Sequence, residues 1–233
     1  MPISSAAYLK DFSHLFFPHN CEGCGTDVLE KNQFLCAKCF SALPETGFLS
    51  AAENPIERNF YGRIPIQQAG AAYYFTKESL LQTLLFQLKY RNNQAVGIYL
   101  GNLLGQFLAA SELYTDVDAL VPLPLNPKKE RKRGYNQAKL ICDGIAAIWN
   151  KPILDKAVIR KVFTKTQTHE NRINRWQNMD GVFAVAQPES IMGKHILLVD
   201  DVVTTGATLE ACGTPMLEQE NTKLSIATVA YTI

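Results

Sequence analysis

Apolar positions along this chain follow two rhythms. Between Ser79 and Tyr90 they recur at helical spacing, as Leu81, Leu84, Leu85 and Leu88. The stretch from Ala95 to Leu113 repeats that spacing with Leu100, Leu103, Leu104, Phe107 and Leu108. Tyr135 to Trp149 and Ala207 to Glu218 are predicted helices as well. The second rhythm is the short apolar run. Asp118 to Pro122, Ile196 to Val199 and Leu224 to Tyr231 predict buried strands, and Gln67 to Phe75 a weakly alternating one. Ile153 to Ile159 fits either element. Strands that alternate with helices predict an α/β fold with a parallel sheet, whose ligands bind at the carboxyl ends of the strands. From Ser41 to about Ile66 Pro44, Gly47, Pro55, Gly62 and Pro65 interrupt both rhythms, so the stretch is predicted to be a linker.

The strand Ile196 to Val199 runs straight into Asp200 and Asp201, and Thr204, Thr205, Gly206, Ala207 and Thr208 then open the next helix. The first backbone N–H groups of a helix have no partner within it, and the helix dipole adds partial positive charge there, so this loop is suited to an anion. Threonine hydroxyls add donors, and Gly206 lets the backbone approach closely. The two carboxylates cannot face the same anion. They call for hydroxyls to accept from, or for a metal to share. A ligand with a phosphate at one end and a diol at the other satisfies both halves, as ribose 5-phosphate does. A buried strand followed by an ordinary capped helix would need neither the acid pair nor three threonines.

Composition narrows the alternatives. The 233 residues, 47% hydrophobic and 19% charged, suit a globular protein with one medium domain and a small appendage. A net charge of +1 gives the molecule no general attraction to nucleic acid or anionic membrane, so any such attraction is local. No run approaches the roughly 18 apolar residues of a membrane span. Met1 to Asp11 lacks the basic region of a signal peptide, and a cytoplasmic setting with reduced thiols is expected.

Four of the six cysteines fall in the first 40 residues, as two Cys-x-x-Cys pairs: Cys21 with Cys24, and Cys36 with Cys39. Two such pairs supply four thiolates, as a tetrahedral structural Zn²⁺ requires, and four protein ligands leave no open position for catalysis. A thioredoxin-like redox site would need one pair, and a disulfide framework sits badly with the absent signal. His19 is a spare donor nearby. Cys142 and Cys212 lie in predicted helices and suit the core.

After the strand ending at Pro122, a Pro-rich turn leads into Lys128, Lys129, Glu130, Arg131, Lys132 and Arg133, and then Gly134, Tyr135, Asn136 and Gln137. Such a run is either a solvated basic loop, a nucleic-acid patch, or the binding surface for a strongly anionic group, for which arginine's rigid donor fork is suited. Lys161 to Trp176 is polar and long for a connection inside a compact domain, and loops of that length are usually functional or disordered.

The Asp-Asp and threonine segment resembles the phosphoribosyl pyrophosphate (PRPP) motif of type I phosphoribosyltransferases. The four-cysteine module, Leu88-Lys89-Tyr90, Pro122-Leu123-Pro124 before Arg131 to Gln137, and the terminal motif occur together in this order. That combination resembles the ComF family of phosphoribosyltransferase-like proteins, which includes GntX-type members. The likeness covers nearly the whole chain. Tyr135 stands where phenylalanine is usual, and Asn126 precedes Pro127 where a histidine often does.

The resemblance implies a type I phosphoribosyltransferase fold over residues 51–233, a mostly parallel twisted sheet flanked by helices, with a zinc-ribbon-like module over residues 1–50. It implies that Asp200 and Asp201 hold the ribose hydroxyls and serve catalysis, and that Thr204, Thr205, Gly206, Ala207 and Thr208 hold the 5′-phosphate. Leu123, Arg131 and Arg133 are then candidates for the pyrophosphate end, and Gln167, Arg172 and Arg175 for a mobile loop that closes over the site. Lys161, Lys165 and His169 could equally face solvent. The implied reaction transfers phosphoribosyl from PRPP, with Mg²⁺, to a nucleobase or an amine that the residues do not identify. The family's link to competence and DNA uptake leaves a different function open: a PRPP or nucleotide sensor, or a partner of single-stranded DNA, helicases or uptake proteins. Type I relatives often form homodimers, though no heptad or long edge strand here requires it.

Overall fold

The computed structural model describes residues 20–27, 33–161 and 181–232. Its strands are β1 (Ala69–Phe75), β2 (Ala119–Pro122), β3 (Val158–Arg160), β4 (Phe183–Val185), β5 (His195–Val203) and β6 (Lys223–Thr232). Four of them form an all-parallel sheet in the order β1-β6-β5-β2, and β3 and β4 make a separate antiparallel pair. Parallel sheets are covered on both faces, which is why the central strands read as unbroken apolar runs. Ile196 and Leu198 of β5 join one core cluster with Ala119, Val121, Leu224 and Ile226. Leu197 and Val199 join the other with Leu120, Ala227 and Val229.

The helices are α1 (Ala37–Ser41), α2 (Pro55–Arg58), α3 (Leu80–Tyr90), α4 (Gln94–Ala110), α5 (Pro127–Arg133), α6 (Gln137–Trp149), α7 (Pro188–Ile191) and α8 (Ala207–Leu217). Helices α3, α4 and α6 supply the first cluster's helical residues, including Leu84, Leu88, Leu100, Leu104, Ile141 and Ile145. The second cluster takes Ile56 from α2, Ile191 from α7 and Leu209, Cys212 and Met216 from α8. The result is a three-layer α/β/α arrangement. Cys142 and Cys212 are both buried in it as expected, and burial raises both thiol pKa values.

Local chemistry sets the boundaries. Ser79 accepts from the Gln82 N–H at 3.2 Å, and Gln82 in turn accepts from the Glu78 N–H at 2.6 Å, which fixes the start of α3. Asn136 accepts from Ala138 N–H at the start of α6. Two stretches differ from expectation. The basic run is a helix, because Asn126 caps it, Pro127 is pre-set for its first turn, and Gly134 at φ +85° closes it. The expected linker is packed structure: Ile56 and Phe60 are fully buried, and Asn54 Nδ2 donates to Ala69 O at 2.7 Å. Short elements punctuated by proline and glycine carry no periodicity, so this packing left no trace in the sequence pattern. Of the ambiguous Ile153 to Ile159, Ile153 bridges to Leu120 and Val158 and Ile159 enter β3. No helix among the described residues is long and apolar enough to cross a membrane.

Helices α4 and α6 cross closely through glycines. A Cβ at Gly144 would stand 2.2 Å from Ile98 O and 2.7 Å from Asn102 N, and one at Gly101 would stand 2.2 Å from Ile141 O. Backbone cannot yield there as a flexible side chain would. Gly144→Ala is expected to cost about 2–3 kcal/mol by overpacking, although alanine is intrinsically the better helix former by about 1 kcal/mol. The midpoint of urea unfolding measures this, and an unchanged midpoint would contradict the close crossing.

Candidate functional site

The carboxyl ends of β1, β5 and β6 meet at one edge of the sheet, and the acid pair lies on β5 just before that edge. β5 extends past the apolar run through Asp200 and Asp201 to Val203, so the acids belong to the strand itself. Asp200 pairs in register with Thr228 of β6. Its Oδ1 accepts from the Asp201 N–H at 2.8 Å. Burial, then the neighbouring Asp201 charge, push the Asp200 carboxyl up to about 8, against smaller opposing effects of that N–H and of Lys89. Asp201 is only 4% exposed. The Lys89 ammonium, at the end of α3, lies 2.7 Å from Asp201 Oδ2, an oxygen that no aligned hydrogen bond otherwise reaches among the described residues.

The loop from Thr204 to Thr208 is held from behind. Asn59 Nδ2 donates to Thr204 O at 3.2 Å, and Arg63 donates to Thr205 O at 2.9 Å. Arg63 also pairs with Glu210 on the first turn of α8. Gly206, at φ +77°, is the N-cap of α8 and offers no side-chain cap. A Cβ there would fall 2.7 Å from the Phe60 ring, so only glycine fits both the backbone and the space. With its carbonyls engaged behind, the loop leaves the first N–H groups of an eleven-residue helix to the front. There Asp200, Thr204, Thr205, Gly206, Ala207 and Thr208 line one small cleft of about 70 Å³. The sequence-predicted phosphate residues are thus brought together with one of the acids. Asn59, Arg63 and Phe60 were missed, because all three lie in the stretch that read as linker.

Leu123 continues from β2 beside β5, donating its N–H to Val199 O at 2.8 Å and accepting at its carbonyl from Asn136 at 3.0 Å. Arg133 lines a pocket of about 350 Å³ with Lys89, Tyr90, Asn92, Lys129 and Lys132. Arg131 is not among those residues; its Nε reaches back to Pro127 O at 3.4 Å on its own helix. Tyr135 donates from its hydroxyl to Leu88 O, one of the unpaired carbonyls in the last turn of α3. That bond ties the two short motifs, Leu88 to Tyr90 and Arg131 to Gln137, into one structure. Gln167, Arg172 and Arg175, with Lys165 and His169, lie outside the described residues.

The four cysteines of the N-terminal pairs converge, with all Sγ atoms within 4.8 Å of one another and Cys24 and Cys36 3.7 Å apart. A tetrahedral Zn–thiolate site places its sulfurs about 3.8 Å apart, so this donor set fits. Burial raises the Cys21 thiol, but N–H groups of Cys24, Cys36 and Gly23 outweigh it and hold it down at about 6. The module sits on α3 and α4: Gln87 Nε2 donates to Glu22 O at 3.3 Å, and Phe34 stacks on Tyr99 at 4.9 Å.

Residues 142–232 match the family described as "Phosphoribosyl transferase domain". Together with the parallel sheet, this gives the chain a type I phosphoribosyltransferase fold with a four-cysteine cluster near its N-terminus. Over 133 residues it is 33% identical to DNA utilization protein YhgH of Salmonella typhi, covering 55% of this chain and 57% of that one. It is 36% identical over 93 residues to competence protein F of Haemophilus influenzae, covering 40% and 41%. It is 26% identical over 147 residues to competence protein ComFC of Bacillus subtilis, covering 62% and 57%. The match thus spans between 41% and 57% of the length of these relatives.

The raised Asp200 pKa has a stability consequence. A carboxyl protonated in the folded protein up to about pH 8 binds more protons folded than unfolded, so its contribution falls as pH climbs from near 4 to 8. Asp200→Asn is therefore expected to stabilise the ligand-free protein at pH 8 by on the order of a few kcal/mol, with the gain vanishing near pH 4. Lys89→Ala should act oppositely and cost about 2 kcal/mol, less than a fully buried pair would, by leaving Asp201 without its partner. Thermal unfolding of both variants from pH 4 to pH 8 is the measurement; a pH-independent Asp200→Asn effect would contradict the assignment.

Proposed function

We propose that this phosphoribosyltransferase-fold protein binds PRPP at the end of β5 and transfers its phosphoribosyl group to an acceptor, releasing pyrophosphate. The observation that carries the reading is the loop Thr204 to Thr208. Its carbonyls are held from behind by Asn59 and Arg63, and its N–H groups open beside Asp200. In this reading the loop N–H groups and the threonine hydroxyls hold the 5′-phosphate. Asp200 and Asp201 accept from the ribose hydroxyls and fix the sugar so that C1 faces the open edge of the sheet. As the bond from C1 to pyrophosphate breaks, negative charge grows on the leaving group, and Lys129, Lys132 and Arg133 draw it toward their pocket. Lys89 borders both that pocket and Asp201, so it couples the sugar end of the site to the leaving-group end.

Mg²⁺ fits this chain as a companion of the substrate. The chain offers it few oxygens, since Lys89 already engages Asp201 Oδ2 and Asp200 is held toward its neutral form. PRPP's own phosphates would therefore supply most of its ligands, with Asp200 joining them only on loss of its proton. When bound, it would neutralise charge on the leaving pyrophosphate. Zn²⁺ in the four-cysteine cluster is assigned a structural role, in a head of residues 1–50 set on a ligand-binding domain of residues 51–233. The names of the relatives support a role in competence or DNA use, and a cytoplasmic setting is part of the same proposal. The five basic residues of α5 favour a second reading, in which the same fold senses PRPP while docking single-stranded DNA.

PRPP with Mg²⁺ is expected to raise the melting temperature by several degrees, and the double variant Asp200→Asn, Asp201→Asn to abolish that shift. Release of pyrophosphate with an added acceptor marks transfer, whereas a shift without release across a panel of nucleobases and amines marks the sensor. No shift with the intact protein at millimolar PRPP would overturn the reading.

A further inference from the structure

The basic pocket of about 350 Å³ and the acid pair share one side chain. Lys89 lines that pocket with Tyr90, Asn92, Lys129, Lys132 and Arg133, and no carboxylate lines it among the described residues. Yet the Lys89 ammonium is turned to Asp201 Oδ2, 2.7 Å away, and its side chain is 25% exposed while that of Asp201 is 6% exposed. The backbone beneath it is tied down. Tyr135 donates from its hydroxyl to Leu88 O, and the Arg91 N–H donates to Gln87 O at 3.0 Å where α3 ends. The flexible stem of the lysine lets the same ammonium turn to either side. The two destinations are mutually exclusive. A lysine on Asp201 covers the carboxylate oxygen that a sugar hydroxyl would use, and a lysine in the basic pocket leaves a buried carboxylate unpaired.

We infer that Lys89 is the specificity-determining residue of this site: its ammonium covers Asp201 in the free protein and passes to the pyrophosphate group of bound PRPP, leaving Asp201 Oδ2 to the ribose hydroxyls. The inference rests on the PRPP reading, since it needs a ligand that reaches the acid pair and the basic pocket together. Inorganic pyrophosphate alone draws the ammonium only by stripping Asp201 of its partner, which costs more than breaking a surface ion pair would. Ribose 5-phosphate alone must displace the ammonium from Asp201 with nothing to receive it. PRPP does both at once. Its anionic group takes the lysine while its hydroxyls donate to the uncovered oxygen, so no buried charge is left unpaired. The joined molecule therefore binds better than either half by more than linkage alone supplies. The pair with Asp201 is then a device that selects against free pyrophosphate and against simple sugar phosphates.

The test is a double-mutant cycle, read by calorimetric titration of inorganic pyrophosphate with Mg²⁺ into the full chain. Asp201→Asn removes the charge that holds Lys89, and is expected to tighten pyrophosphate binding about tenfold, on the scale of a close charge pair. In a Lys89→Met background the same substitution is expected to change pyrophosphate affinity by less than about twofold. Lys89→Arg keeps a mobile cation, so the gain should reappear there, and this background replaces Lys89→Met if a thermal melt shows that variant unfolded. Two results would overturn the inference. One is an equal gain with and without the lysine, which would trace it to the field of Asp201. The other is no gain from Asp201→Asn in the Lys89 protein. The PRPP-induced thermal shift of the wild type is measured in parallel. With that shift present, either result strikes the exchange and leaves the PRPP site standing; with it absent, the PRPP reading falls and the inference with it.

Discussion

Two adjacent carboxylates on a central buried strand are the constraint around which this protein is arranged. Side by side they repel, and burial penalises the charge of each. The structure meets that cost in two ways. Asp201 receives the ammonium of Lys89 from a helix on one face of the sheet, and Asp200 is held toward its neutral form at neutral pH. Neither solution serves folding. An apolar pair at these positions would extend β5 more stably, and a buried ion pair is rarely the most stable choice. The acids persist at a cost in stability, and that cost points to a ligand that needs them.

Helix α3 carries the consequences outward. Its last turn delivers Lys89 to Asp201, receives the Tyr135 hydroxyl at Leu88 O, and holds Phe86 and Tyr90 over the open edge. Its other contacts face the four-cysteine module, through Gln87 and through Leu80, whose Cδ1 would lie 2.7 Å from a Cβ at Gly23. The four-cysteine cluster and the acid pair are therefore two sides of one eleven-residue helix.

Much of this was legible in the sequence. The helices α3, α4, α6 and α8 and the strands of the parallel sheet show their periods directly, because each buries a continuous face or run. The threonine loop and the four thiolates were legible for a different reason: particular residue types recur there at close spacing. What was hidden depends on contacts between distant segments. Asn59 and Arg63 sit in a stretch without periodicity, and nothing local shows that they brace a loop more than 140 residues away. The basic run concealed a helix, since five cations in seven residues read as a solvated turn until the Asn126 cap and the Gly134 exit are seen. Lys89 stood in a recognisable motif, but only the fold shows that it faces Asp201.

The central claim is that the loop beginning α8 grips a phosphate whose sugar reaches the acid pair. Amide chemical shifts of isotope-labelled protein titrated with ribose 5-phosphate test it most directly, because this ligand carries the phosphate and the diol but no pyrophosphate or base. The account predicts that the largest changes fall on the backbone N–H groups of Thr205, Gly206, Ala207 and Thr208, with smaller ones at Asp200 and Asp201 and little at Lys128 to Arg133. Changes confined to the basic helix, with the loop unmoved, would contradict it.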